Sequence, residues 1–195
     1  YLGVVVSGGP SSAYADLPWI PRLEALICEA VETEKPFLGV CLGHQIAAQA
    51  LGGKVEKNPR GWEIGDPEVE LTEEGKADPF FSGLPPRFRV IQSHQDTVSD
   101  LPPGAKLLAS SPLCENQSFA IGENFRCVQF HPEMNAEILR FLLTPRRAML
   151  LEKAGIDVEE ILPKIRETAE SRSLFRTFAQ TFLGLDTIPA ESLQK

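Results

Sequence analysis

The spacing of apolar residues changes its period several times along this chain. Val4 to Val6 is an apolar run without alternation, the pattern predicted for a short strand buried on both faces. It ends at Ser7-Gly8-Gly9-Pro10, whose glycines permit a tight turn. Leu23, Leu26, Ile27, Ala30 and Val31 then recur at helical spacing, which predicts a helix from Ile20 to Glu34 with Pro21 in its first turn. Pro36 to Val40 is a second apolar run of strand length. Leu42 to Leu51 reads as a helix stopped by Gly52-Gly53. Strand, helix, strand, helix in that order predicts an α/β fold, with an open, mostly parallel sheet covered by helices on both faces.

Beyond Gly53 the grammar differs. Residues 55–71 and 88–108 hold short β-like runs broken by Pro59, Gly61, Gly65, Pro67, Pro85, Pro86, Pro102 and Pro103. This predicts an antiparallel extension with long loops. Phe119 to Ile121 and Arg126 to Phe130 read as a hairpin that leads into His131-Pro132-Glu133. From Asn135 onward the periodicity is helical, over about 135–143, 145–153, 157–170 and 173–183, and the residues around Pro189 read as a loose tail. The expected division is a main domain over 1–143 and a helical C-terminal extension over 144–195 packed on it. A parallel sheet normally supplies a neighbour for a strand like Val4–Val6. A strand–helix unit of roughly 30 residues is therefore expected before Tyr1.

Composition narrows the classes of function. The 195 residues suffice for one domain with a sizeable core, and 43% hydrophobic with 24% charged residues is ordinary for a globular chain. A net charge of −8 repels phosphate backbones and argues against nucleic acid as a partner. No apolar run reaches the roughly 20 residues that a membrane helix needs. The four cysteines, Cys28, Cys41, Cys114 and Cys127, match no zinc or disulfide spacing, so reduced thiols in the cytoplasm are expected. No phosphate loop or dinucleotide fingerprint occurs, and no cofactor or metal is expected.

Chemistry concentrates at Phe37-Leu38-Gly39-Val40-Cys41-Leu42-Gly43-His44-Gln45. An apolar strand, Gly-x-Cys-x-Gly and a helix have the layout of a nucleophile elbow, with sulfur in place of oxygen. So sharp a turn strains the central residue and needs small neighbours, which Gly39 and Gly43 supply. The thiol would stand at the C-terminal edge of the sheet and at a helix N-terminus, whose partial positive charge favours thiolate. The Leu42 amide is free to stabilise an oxyanion. An isolated cysteine is ordinarily a buried structural residue. The two flanking glycines reverse that reading for Cys41, while Cys28, Cys114 and Cys127 keep it.

Three histidines are candidates for the base: His44, His94 and His131. His131 follows a strand, Pro132 fixes the backbone, and Glu133 stands close enough to hydrogen-bond the ring. Taken alone, His-Pro-Glu also reads as the start of the next helix. His44 lies one helical turn past Cys41, where residues more often pack between helix and sheet. His94, in Gln92-Ser93-His94-Gln95-Asp96, sits in a polar, loop-like stretch suited to substrate contact. A metal site from His44, His94, His131 and Glu133 lacks any short His-x-x-x-His or Cys-x-x-Cys spacing.

Together, Gly8-Gly9-Pro10, Gly39 to Gln45, Ser93-His94 and His131 to Glu133 resemble the class I (triad) glutamine amidotransferases, over about residues 1–143. The stand-alone type, similar to the glutaminase domain of GMP synthetase, fits best. The resemblance implies a flavodoxin-like amidotransferase fold. It implies that Cys41 attacks the glutamine amide carbon, His131 transfers the proton, and Glu133 orients His131. It further implies that the amides of Gly9 and Leu42 bind the oxyanion, and that Gln45, Ser93 and His94 hold the α-amino and α-carboxylate groups. Ammonia would pass to a synthetase partner chain. Some relatives of this type are γ-glutamyl peptidases, whose chemistry the same motifs serve equally well. A regulatory binding protein on the same fold is the non-enzymatic alternative. The resemblance implies no role for the helices after Thr144.

Overall fold

In the computed structural model, which describes residues 1–185, Val4–Val6 forms strand β1, but at an edge of the sheet. Among the described residues its only strand partner is β2 (Phe37–Val40), parallel to it, and Val5 is 50% exposed. In this chain Val4 and Val6 are half-buried and Val5 is exposed, at the edge where a preceding strand is expected from the sequence. A run of valines satisfies a covered and an open strand face alike. The first helix, α1, spans Ile20–Glu32 and α2 spans Leu42–Ala50. The middle of the chain adds β3 (Lys54–Lys57), β4 (Glu63–Gly65), β5 (Glu68–Leu71), α3 (Glu73–Ala77), β6 (Arg87–Arg89), β7 (Gln92–His94), β8 (Asp96–Asp100) and β9 (Lys106–Ser110). The hairpin β10 (Ser118–Ile121) and β11 (Phe125–Val128) follows.

The main sheet has seven strands in the order β1-β2-β11-β10-β9-β5-β6. Following the pairings across it, β1, β2, β11, β9 and β6 run one way, and β10 and β5 run the other. The antiparallel extension continues this sheet through β9, β5 and β6, and adds two ribbons beside it, β3 with β8 and β4 with β7.

Side-chain alternation divides the core in two. Phe37 of β2 points into one layer with Ile27 of α1, Ile46 of α2, Phe119 and Phe125. Its neighbours Leu38 and Val40 point into the other, with Phe80, Phe88, Val128 and Phe130. Helix α8 (Leu174–Leu183) closes that second layer through Leu174 and Phe178. Its Phe182 carries the Arg126 guanidinium 5.0 Å above the ring, and Arg126 pairs with Asp78 at 2.9 Å. Helix α8 thus covers a sheet face.

Between these, α4 (Ala136–Leu143), α5 (Arg147–Ala154) and α6 (Val158–Ile161) wrap a third cluster around Leu139, Leu143, Leu150 and Ile165, and α7 (Ala169–Arg172) packs on β6 and α8. The continuous helix expected over 157–170 is broken. Pro163 removes an N–H and its ring clashes with the preceding turn, so α6 passes into a short 3-10 turn at Leu162–Lys164 and then into extended chain at Ile165. The tail expected around Pro189 lies outside the described residues. Among the described residues no helix is long and apolar enough to cross a membrane.

Candidate active site

Parallel pairing of β2 with β11 matches Val40 to Val128 and carries both strands to the same edge of the sheet. Cys41 follows β2 directly, and His131 lies just past β11. Two backbone bonds fix them: the Cys41 N–H donates to the Val128 carbonyl, and the His131 N–H to the Ile91 carbonyl, each at 2.9 Å. Cys41 occupies φ 50°, ψ −103°, a positive φ that a side chain rarely adopts and that here opens α2. The close approach explains its neighbours. A Cβ on Gly39 would meet the Cys127 sulfur at 2.8 Å, and one on Gly43 would overlap the Val6 carbonyl of β1.

His131 and Cys41 are nearly covered, at 5% and 6% exposure. The turn after β1 packs on both. A Cβ on Gly8 would stand 2.7 Å from Cε1 of His131 and 3.3 Å from Cβ of Cys41. Nδ1 of His131 donates to Oε1 of Glu133 at 2.6 Å, which leaves Nε2 for the cysteine. Burial pushes the imidazole down, but the Cys41 sulfur and the Glu133 carboxylate beside it more than reverse this and raise it to about 10. An imidazolium beside sulfur is the state this pocket favours. Gly9 lies against Leu42, since a Cβ there would come 2.8 Å from Cδ2 of Leu42. Leu42 is the first residue of α2, so its N–H has no acceptor within the helix.

Gly8, Gly9, Cys41, His131 and Glu133 line a cleft of about 800 Å³, together with Gln45, Ser93, His94, Asp96 and Trp62. Gln45 is anchored through Nε2, which donates to the Asp96 carbonyl at 2.9 Å and to Oε1 of Gln129 at 3.0 Å. Ser93 and His94 belong to β7 and not to a loop, paired with Ile64 and Glu63 of β4. Glu63, 2% exposed, was not among the sequence candidates. Nδ1 of His94 donates to the Asp96 carbonyl at 2.9 Å, and Nε2 is hydrogen-bonded to Oε2 of Glu63 at 3.0 Å. Glu63 also accepts from Ser111 at 2.7 Å and from Gln117 at 2.6 Å.

Glu63, His94 and Cys114 bring potential metal-ligand atoms within 4.8 Å of one another. Each already has a protein partner, and Cys114 contacts the Thr97 hydroxyl at 3.2 Å. Burial pushes the Cys114 thiol up to about 12, so it stays protonated. In this structure the cluster is joined as a hydrogen-bond network. His44 is fully buried against Phe119, with neither ring nitrogen hydrogen-bonded. Burial, followed by the charge of His94, lowers it to about 3. Its place behind the elbow removes it from the cleft. All four cysteines are free thiols, and Cys127 is pushed well above the usual thiol range by burial.

Known proteins share this fold. Residues 1–140 match the family "Glutamine amidotransferase class-I", and the chain belongs to it. Over 191 residues it is 34% identical to gamma-glutamyl peptidase 3 of Arabidopsis thaliana, covering 94% of this chain and 74% of that protein. Over 133 residues it is 40% identical to a glutamine-hydrolyzing GMP synthase subunit of Pyrococcus abyssi, covering 68% of this chain and 66% of that protein. A solved glutamine amidotransferase of Thermotoga maritima superposes with TM-score 0.72 at 33% identity, over 92% of this chain and 77% of that one.

Proposed function

We propose that this protein hydrolyses a γ-glutamyl amide bond through a cysteinyl thioester, with free glutamine as the first substrate to consider. The observation that carries the reading is the strained Cys41 at the mouth of α2, beside an imidazole that Glu133 holds at 2.6 Å. In the proposed reaction the Cys41 thiolate attacks the γ-carbonyl carbon. The resulting oxyanion is received by the amides of Gly9 and Leu42. As the C–N bond breaks, His131 gives its proton to the departing nitrogen, releasing ammonia and leaving the thioester. His131 then takes a proton from water, which attacks the thioester; glutamate leaves and the thiolate returns. Glu133 orients the ring and stabilises its charged form. Both amide hydrogens of Gln45 are engaged, so its Oε1 remains an acceptor suited to the substrate's α-ammonium. Ser93 and His94 form the neighbouring wall. The similarity to a synthase subunit supports an ammonia acceptor on another chain. A reducing, cytoplasmic setting suits the free thiol.

A second reading is cleavage of γ-glutamyl peptides, with an amine leaving in place of ammonia. It is favoured by the extent of similarity: the Arabidopsis peptidase aligns over 94% of the chain, against 68% for the synthase subunit. The test is ammonia release from glutamine measured beside amine release from γ-glutamyl dipeptides, for wild type and Cys41→Ala. One of the two activities is expected, and it should vanish in the variant. A folded Cys41→Ala protein with full turnover would sink the proposal.

A further inference from the structure

The helices beyond residue 140 contribute one wall of the cleft. Arg146, Met149 and Lys153 recur at intervals of three and four, which places them on one stripe of α5 and its N-cap. All three line the cleft that holds Cys41 and His131. Leu150, on the flank of that stripe, is buried in the third core cluster and fixes the rotation of the helix.

Three other arginines of this region have partners. Arg140 donates to the Leu162 and Ile165 carbonyls, Arg147 pairs with Glu159, and Arg166 pairs with Asp66. Among the described residues, Arg146 and Lys153 make neither an ion pair nor a hydrogen bond, although the chain carries a net charge of −8. Two cations on the wall of a cleft, without a protein counter-ion, are placed for an anionic ligand. Glu133 and Asp96 are the carboxylates in the same lining, but Glu133 is bound to His131 and Asp96 to the Tyr14 hydroxyl. Free glutamine ends at its amide on the leaving side and brings no second anion there. A γ-glutamyl peptide does: its leaving amine belongs to an amino acid that ends in a carboxylate.

We propose that Arg146 and Lys153 are specificity residues that hold the carboxylate of the leaving amino acid, so that the cleft accepts γ-glutamyl peptides with a free C-terminus. The inference rests on the proposed γ-glutamyl reaction and names the substrate class within it. Met149 between them supplies an apolar surface for the stem of that amino acid. Because the pair is partly open to water, its worth is that of screened, charge-assisted bonds, about fivefold to tenfold in affinity.

Binding and turnover are read separately. Calorimetry on the Cys41→Ala protein compares γ-glutamylglycine with its C-terminal amide. The acid is expected to bind about fivefold to tenfold tighter, with the preference shrinking as salt rises. In Cys41→Ala carrying Arg146→Gln and Lys153→Gln, the acid-to-amide ratio is expected to fall toward one. Equal binding of acid and amide by the parent would overturn the proposal. So would an equal loss of glutamine and γ-glutamylglycine affinity in the triple variant, because the cations would then serve the α-carboxylate common to both. Failure of the wild-type protein to hydrolyse any γ-glutamyl compound would remove the reaction and leave the binding ratio to stand on its own result.

Discussion

Two imidazole–carboxylate pairs lie on the same cleft, and they are built for opposite purposes. His131 spends one nitrogen on Glu133 and keeps the other toward Cys41. His94 spends both, on Glu63 and on the Asp96 carbonyl. Glu133 is about a third exposed, whereas Glu63 is sealed in and bound by Ser111 and Gln117 as well. A ring with a free nitrogen beside a thiol can move a proton. A ring with none can only hold a surface in place. Residue type says nothing of this difference; the partners of the second nitrogen decide it.

Removing His131 should separate the pairs most sharply. His131→Ala is expected to lose about 10³- to 10⁴-fold in kcat, because neither the thiol nor the leaving nitrogen has a proton partner. Steady-state kinetics on folded protein checks this. A loss below tenfold would mean another group carries the proton.

Glu133→Gln should follow, at roughly 10²-fold, since the amide can still orient the ring but stabilises its charge less. It should also move the pH profile. The Cys41–His131 pair is expected to give an alkaline limb near pH 10, and Glu133→Gln should shift it downward. The linked stability has a defined sign. The folded His131 lies above its usual 6.5, so its contribution is complete below pH 6.5 and fades as pH rises through about 10. Unfolding midpoints between those values should fall more steeply for wild type than for His131→Ala.

Glu63→Gln, on the other pair, is expected to raise KM about tenfold while kcat changes less than about threefold, as suits a residue that positions a binding wall. Collapse of kcat at unchanged KM would abolish the distinction between the pairs. The smallest effect on rate belongs to His44, which neither pair uses. Its folded form resists protonation down to about 3, so wild-type stability should decline as pH falls below 6.5. His44→Leu should lessen that decline, read as urea midpoints at pH 7.5 and 4.5.

The same contrast explains what could be read from sequence. Cys41, His131 and Glu133 sit in contiguous motifs whose glycines and proline have local steric causes, so their placement at one sheet edge was legible. Glu63 was not, because it lies 31 positions from His94 and meets it only through the β4–β7 register. Arg146 and Lys153 look like any solvated helix face until α5 is docked. The break at Pro163 was legible by rule but was outweighed by periodicity on either side.

The central claim is that Cys41 is the one activated thiol, and labelling tests it most directly. The purified protein is treated with a glutamine-like chloroketone and its peptides are read by mass spectrometry. One adduct is expected, on Cys41, suppressed by excess glutamine and slowed by His131→Ala; equal labelling of Cys28 or Cys127, or labelling indifferent to glutamine, would contradict the account.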